Sequence, residues 1–453
     1  MSAVIVASVA EVVAAAIAAA AGVEAADGKI VTARSLTDMA GVQRTVLDNG
    51  LTVVSEYMPG VRSVAIGAWV RIASVHEARP LMGVSHLLEH MVFKGTERRS
   101  AKEIAMSLEN LGGSLDAYTS REHTAFQARV LDEHLEQAAD VIGDLIFNPA
   151  LRDGDLQLER RVVLEEISMV DDTPDDLVFE LHNELLWGEH PYGFSILGTR
   201  DSVASLGIGE LQTLHRQGYQ PQHIVLAAGG NVEHDRLVET LLRTGWGAVP
   251  RGIEVVPIVP PPITALPVIR HVERDAAQTQ VVFGSSTLPY GHPGRYAMTL
   301  ASSLLGGGMS SRLFQRVREE MGLAYSVSSF HSYHTDSGTH GVYLATSPET
   351  AELAVQAVRQ ELQAAADHGF TAEEVAAGRG QFKGQITLSL ESSSARMYRA
   401  AATELYGEPY RPIDDVLSEI DAIRDDEVAA MAHAYFAPDR QTVLSLGPVP
   451  GTA

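Results

Sequence analysis

Two histidines and a glutamate share one short stretch, Gly83-Val-Ser-His86-Leu-Leu-Glu89-His90-Met-Val-Phe-Lys-Gly95. On a helix, at about 100° per residue, His86 and His90 fall about 40° apart and Glu89 about 60° to the other side of His86, so one arc carries all three. Imidazoles spaced this way can reach a single Zn2+ at about 2.0–2.1 Å, and the carboxylate beside them can reach a water there. The order is the inverse of the commoner helical zinc-protease motif. Val84, Leu87, Leu88 and Met91 fill the rest of the helix and set the polar trio in an apolar element. Burying such groups without a partner or a metal is costly.

Two imidazoles leave a catalytic zinc short of one protein ligand. From Asp153 to Asp171 the pattern is again helical, and Glu159 and Glu166, two turns apart, fall about 20° from eclipsed. Val162 and Val163 lie between them on the same stripe in this reading, and Glu165 on another face. A carboxylate at Glu166 completes a His2Glu set and leaves a fourth position open. There is no cysteine anywhere in the chain, so thiolate sites and disulfides are excluded and any zinc is held by histidine and carboxylate.

These helices need sheets to sit on. Arg44 to Ser55 alternates on either side of Asn49-Gly50, a hairpin signal, and a second strand runs from Ser63 to Arg71. After the histidine helix comes a helix from Ala101 to Leu111, stopped by Gly112-Gly113. Strands at Ser114–Thr119 and Thr124–Val130 follow, then a helix from about Glu133 to Phe147. Ile253 to Pro262, with three consecutive prolines, reads as a stiff linker.

Beyond the linker the pattern repeats: a strand at Thr279, helices at Tyr296–Leu305 and Ser311–Met321, a glycine and strand in Gly322-Leu-Ala-Tyr325-Ser-Val, a strand at His340, and helices near 348–366 and 371–392. The repeat has lost the histidines. Expected, therefore, is an α+β fold of two homologous α/β-sandwich domains, each an antiparallel-rich sheet with helices packed on it. The divisions are an extension at 1–41, a catalytic half at 42–251, a linker at 252–267 and a degenerate copy at 268–453. A length of 453 residues agrees with two cores rather than one.

Lys and Arg number 34 against 58 Asp and Glu, a net charge of −24, which argues against nucleic acid and anionic membranes as partners and is compatible with basic peptides. Residues 1–27 are rich in Ala and Val, but no Lys or Arg precedes Lys29 and Glu11 interrupts the apolar run. The run from Val12 to Val23 is too short to span a bilayer. The expectation is an N-terminal extension on a cytoplasmic protein rather than a signal or anchor. Gly306-Gly-Gly308 lacks a following Gly-Lys-Ser/Thr and reads as a helix stop, not a phosphate loop. His123, His190 and His334 have no ligand spacing and read as surface or structural.

Four stretches together, His86 to Thr96, Asp116-Ala-Tyr-Thr-Ser-Arg-Glu, Glu159 to Glu166, and Arg318 to Tyr325, resemble the pitrilysin/insulinase family of zinc peptidases. The nearest branch is that of the mitochondrial processing peptidase catalytic subunit and its bacterial relatives. The resemblance implies one Zn2+ per chain held by His86, His90 and Glu166, with Glu89 as general base and Glu159 in support. It also implies that Arg318 and Tyr325 meet the substrate and the developing oxyanion, and that substrate pairs along Asp116, Ala117, Tyr118 and Thr119. Asp116 stands where the processing peptidases typically have Asn. The family fold is a clamshell of four units, of which this chain has two, so a homodimer or a heterodimer with a related chain is expected to enclose unfolded peptides. The competing reading, a non-catalytic substrate-binding or assembly subunit, is opposed by the intact His86, Glu89, His90 and Glu166.

Overall fold

The computed structural model describes residues 36–39, 41–252 and 267–448. The first half builds a sheet from β1 (Leu36–Met39), β2 (Val42–Val46), β3 (Thr52–Tyr57), β4 (Ser63–Val70), β5 (Ser114–Thr119), β6 (Thr124–Leu131) and β7 (Ile224–Gly230). Its order is β1-β2-β3-β7-β4-β6-β5. The second half contributes β8 (Ile269–Glu273), β9 (Thr279–Thr287), β10 (Ala324–Tyr333), β11 (Gly338–Thr346) and β12 (Thr442–Gly447), ordered β10-β11-β9-β12-β8.

Setting aside β1 and β2, the two sheets match strand for strand. In each, the first strand pairs in parallel with the last, β3 with β7 and β8 with β12, and the last pairs antiparallel with the second, β7 with β4 and β12 with β9. A shared order with shared polarity is the mark of a duplicated unit, and the fold is α+β as expected. Each half ends its sheet in a free edge at corresponding places, β5 and β10.

Helices cover both faces of each sheet. On one face of the first sheet, Leu87 and Leu88 of the helix Val84–Val92 and Ile142 of the helix Leu135–Phe147 pack with Ile66 and Phe126. The opposite face is sealed by the other half: Met397, Ala400 and Ala401, from the helix Ser393–Leu405, pack against Val54, Trp69 and Ala227. Glycine permits the approach, since a Cβ at Gly229 would lie 2.5 Å from the Ser393 carbonyl oxygen. The exchange is reciprocal. The helix Pro174–Trp187 of the first half lays Val178 against Val282, Leu444 and Leu446 of the second sheet.

The expected hairpin, strands and helices are present, with four differences. A strand, β1, precedes Val42 and pairs with β2, so regular structure lies inside the stretch read as an extension. The helix expected at Ser311–Met321 is wound as a π-helix over Phe314–Glu320. Val162 and Val163 do not share a stripe: Val163 is buried with Leu156, Glu159 and Ile167, and Val162 is exposed. The central strand β7 and the exchanged helices were not read from the sequence at all. Residues 1–35 and 253–266, which carry most of the extension and the linker, lie outside the described residues. Among the described residues no helix is long and apolar enough to cross a membrane.

Candidate metal centre

The histidine helix Val84–Val92 lies in the first half's core, with Val84, Leu87, Leu88, Met91 and Val92 all buried. Its polar arc faces the helix Asp153–Asp172. There Glu159 and Glu166 point at the histidines, and Glu165 is exposed. His86 Nε2 lies 3.7 Å from one Glu166 oxygen and His90 Nε2 lies 3.6 Å from the other. One ligand atom from each of His86, His90 and Glu166 falls within 4.8 Å of the other two.

Those separations exceed a hydrogen bond. Ligands held at about 2.1 Å around a tetrahedral ion stand about 3.4 Å apart, so the spacing is near that of groups sharing one metal. Glu166 Oε2 is buried without a hydrogen-bond partner among the described residues, a costly state that a cation relieves. Burial, with His90 adding to it, lowers His86 to about 3, which keeps the imidazole neutral and its lone pair available. The residues present fit a zinc ion, a borderline metal suited to imidazole and carboxylate.

The surrounding groups orient these ligands. Glu159 Oε2 lies 3.2 Å from His90 Nδ1, which leaves Nε2 free to face Glu166. The other Glu159 oxygen accepts from Lys94 Nζ at 2.7 Å, so the buried carboxylate is paired twice. Glu89 is buried and accepts a hydrogen bond from Thr119 Oγ1 at 2.7 Å. Burial raises the Glu89 carboxyl, against the pull of the Thr119 hydroxyl and His90. Glu77 accepts backbone hydrogen bonds at the start of the histidine helix, from Gly83 and Ser85, and burial raises it to about 7 despite them.

β5 is the free edge of the sheet beside this helix, and Thr119 ends it. Its side chains alternate. Leu115 and Ala117 pack toward the core, Asp116 is exposed, and the Tyr118 hydroxyl accepts from Trp69 Nε1 at 3.1 Å on the face covered by the other half. What this strand offers outward is therefore mainly its backbone edge. Arg318 and Tyr325 stand apart, on the second half. The Arg318 guanidinium lies 4.8 Å from the centre of the Tyr325 ring and 4.7 Å from that of Phe314. Tyr325 is 76% exposed and sits where the β10–β11 register shifts.

The structure thus gathers His86, Glu89, His90, Glu159 and Glu166, with Thr119, and leaves Arg318 and Tyr325 on another surface. Sequence reasoning missed Lys94 and Glu77. Lys94 lies one helical turn beyond His90, a signal that was there to read; Glu77 lies in a loop and gave none. His123 and His334 are structural residues: Tyr118 meets the partly buried His123, and the buried His334 stacks on Tyr192 with ring centres 4.5 Å apart.

Residues 52–200 match the family description "Insulinase (Peptidase family M16)" and residues 205–382 match "Peptidase M16 inactive domain". A protein of Mycobacterium leprae named as an uncharacterized zinc protease is 40% identical over 399 residues, covering 87% of this chain and 89% of its own. One of Bacillus subtilis with the same description is 35% identical over 403 residues, covering 89% and 98%. Among solved structures, a protease from Helicobacter pylori superimposes with a TM-score of 0.84 at 21% identity, covering 90% of this chain and 99% of that one. A Pseudomonas fluorescens structure described as a peptidase M16 inactive domain also gives 0.84, at 20% identity, covering 90% and 98%.

Proposed function

This chain belongs to the insulinase family of peptidases, peptidase family M16, and from that premise we propose that it is a zinc-dependent endopeptidase acting on unfolded peptides. The observation that carries the reading is the convergence of His86 Nε2, His90 Nε2 and the Glu166 carboxylate beside a buried Glu89.

His86, His90 and Glu166 would hold one zinc per chain. When bound, zinc supplies Lewis acidity, polarising a carbonyl oxygen and easing deprotonation of water. Glu89 takes the proton from the attacking water and passes it to the leaving amine, and its raised carboxyl suits a group that must do both. Thr119 fixes which Glu89 oxygen is free for that work. Glu159 holds His90, and Lys94 holds Glu159. Substrate is bound as an added strand along β5, where pairing to the backbone tolerates varied side chains. Asp116, exposed on that strand, favours basic residues nearby.

Arg318 and Tyr325 are assigned to substrate contact in a second copy of the chain, each zinc facing the partner's second half across a chamber. The exposed Tyr325 and partly exposed Arg318 lie on a half that has no metal-ligand cluster among the described residues, which supports this. The test is cleavage of an internally quenched peptide by a preparation of measured mass. Activity lost to a chelator and restored by zinc, in a dimer, is expected. Full activity without zinc would overturn the metallopeptidase reading, and an active monomer would overturn the shared chamber.

A further inference from the structure

The histidine helix starts without a cap of its own. Its N-terminal flank is Gly83, held at φ 86°, and a Cβ there would lie 2.5 Å from the Leu197 carbonyl oxygen. The crossing is as close from the other side, where a Cβ on Gly198 would meet the Met82 carbonyl oxygen at 2.4 Å. Two backbones crossing at this distance dictate glycine, and glycine has no side-chain oxygen with which to cap a helix.

The missing acceptors come from Glu77, outside the helix. Its Oε2 accepts from Gly83 N at 2.8 Å and its Oε1 from Ser85 N at 2.8 Å, so both carboxylate oxygens are spent on the first turn. Glu77 is only 6% exposed. Two peptide donors and the positive end of the helix dipole offset part of the cost of this buried acid. Ser85 directly precedes His86.

A second observation says why this cap matters for chemistry. The ring of His90 is held through Nδ1 by Glu159, but His86 Nδ1 is buried with no hydrogen-bond partner among the described residues. The direction of His86 Nε2 therefore depends on the backbone that carries the ring. We propose that Glu77 is a positioning residue for the metal site: capping the helix from outside, it fixes the place and rotation of the first turn and so the reach of His86 toward Glu166. It does for His86 through the backbone what Glu159 does for His90 through the ring.

The inference rests on the metallopeptidase reading, and zinc binding separates the two. Zinc affinity is measured by competition with a chromophoric chelator on wild type, Glu77→Gln and Glu77→Ala, with absorption spectra of the Co2+-loaded proteins alongside. Asn49→Ala serves as a control for lost stability, because the Asn49 amide ties the β2–β3 turn to the carbonyls of Trp246 and Val249, away from the helix start. Loss of a group that orients a ligand weakens metal binding about 10–100-fold. That loss is expected for Glu77→Ala, a smaller one for Glu77→Gln, which keeps one acceptor, and a changed Co2+ spectrum in both. If Glu77→Ala does not fold, Glu77→Gln carries the test. Unchanged affinity in folded Glu77→Gln, or an equal loss in Asn49→Ala at the same melting temperature, overturns the proposal alone. Failure of wild type to bind zinc overturns the metal reading and the role of Glu77 with it.

Discussion

At the scale of residues, the site divides its carboxylates by what each one faces. Glu166 looks at two imidazole nitrogens, Glu159 looks at one imidazole and an ammonium, and Glu89 looks at a hydroxyl. Those surroundings set separate expectations for isosteric amides. Glu166→Gln removes a charged ligand and is expected to lower zinc content sharply at limiting metal. Glu159→Gln keeps all three ligands and one acceptor but loses the charge and the second oxygen, so it can no longer serve both His90 Nδ1 and Lys94, and zinc affinity falls about 10–100-fold. Metal analysis after equilibration against a chelator ranks the two, and a Glu166→Gln chain that retains zinc better than Glu159→Gln would contradict the assignment. The histidine pair and Glu89 were legible because helical spacing alone brings them together. Glu166 was legible only because a pair of imidazoles demands a third ligand. Glu77 was not, since nothing in a loop sequence says which later helix start its carboxylate will meet.

At the scale of elements, legibility followed amphipathicity. The strands β5 and β6 and the helices around them alternate between a wetter and a drier face, and the expectations for them hold; β3, buried from Val53 to Glu56, was marked by the Asn49-Gly50 turn before it. β7, Ile224-Val-Leu-Ala-Ala-Gly-Gly230, is buried at every position because helices from both halves cover the sheet at its centre. Such a strand has no alternation to read, and only its apolar run marks it. The π-helix at Phe314–Glu320 likewise carries no composition that separates it from an α-helix, although it precedes the bulge that exposes Tyr325. The edges β5 and β10 are set by topology: β6 pairs between β4 and β5, which leaves β5 outermost beside the histidine helix. An unpaired edge is a liability in most proteins, and here it lies beside the histidine helix, which supports the proposed binding of an extended peptide along it.

At the scale of the molecule, duplication was legible and interlocking was not. The repeat of strand and helix lengths announces two related halves. That the helix Ser393–Leu405 seals the first sheet, while Pro174–Trp187 seals the second, depends on contacts between distant segments that no local pattern records. Neither sheet is a finished core by itself. Several histidines are enclosed in this assembly and kept neutral by it. Burial lowers His123, His182 and His331 to about 4 each and His334 and His340 to about 3 each. Their ordinary value is about 6.5, so below that pH the unfolded chain binds protons that the folded chain refuses. The stability they permit is complete above about pH 6.5 and is lost as pH falls toward 4, by up to about 1.4 kcal/mol per pH unit for each group. A melting temperature that falls progressively as pH drops from about 6.5 toward 4 is expected. A flat profile over that range would mean that these imidazoles are not buried neutral.

In the proposed reading, the two interlocked halves serve to place Glu89 beside a zinc ion held by His86, His90 and Glu166, the metal-ligand cluster found among the described residues. The most direct measurement is therefore made on Glu89→Gln, with zinc content and cleavage of an internally quenched peptide read from one preparation beside wild type. The expected result is equal zinc in both proteins and cleavage by wild type alone, because the substitution removes the proton acceptor and leaves His86, His90 and Glu166 in place. Equal cleavage by the two zinc-loaded proteins would contradict the account.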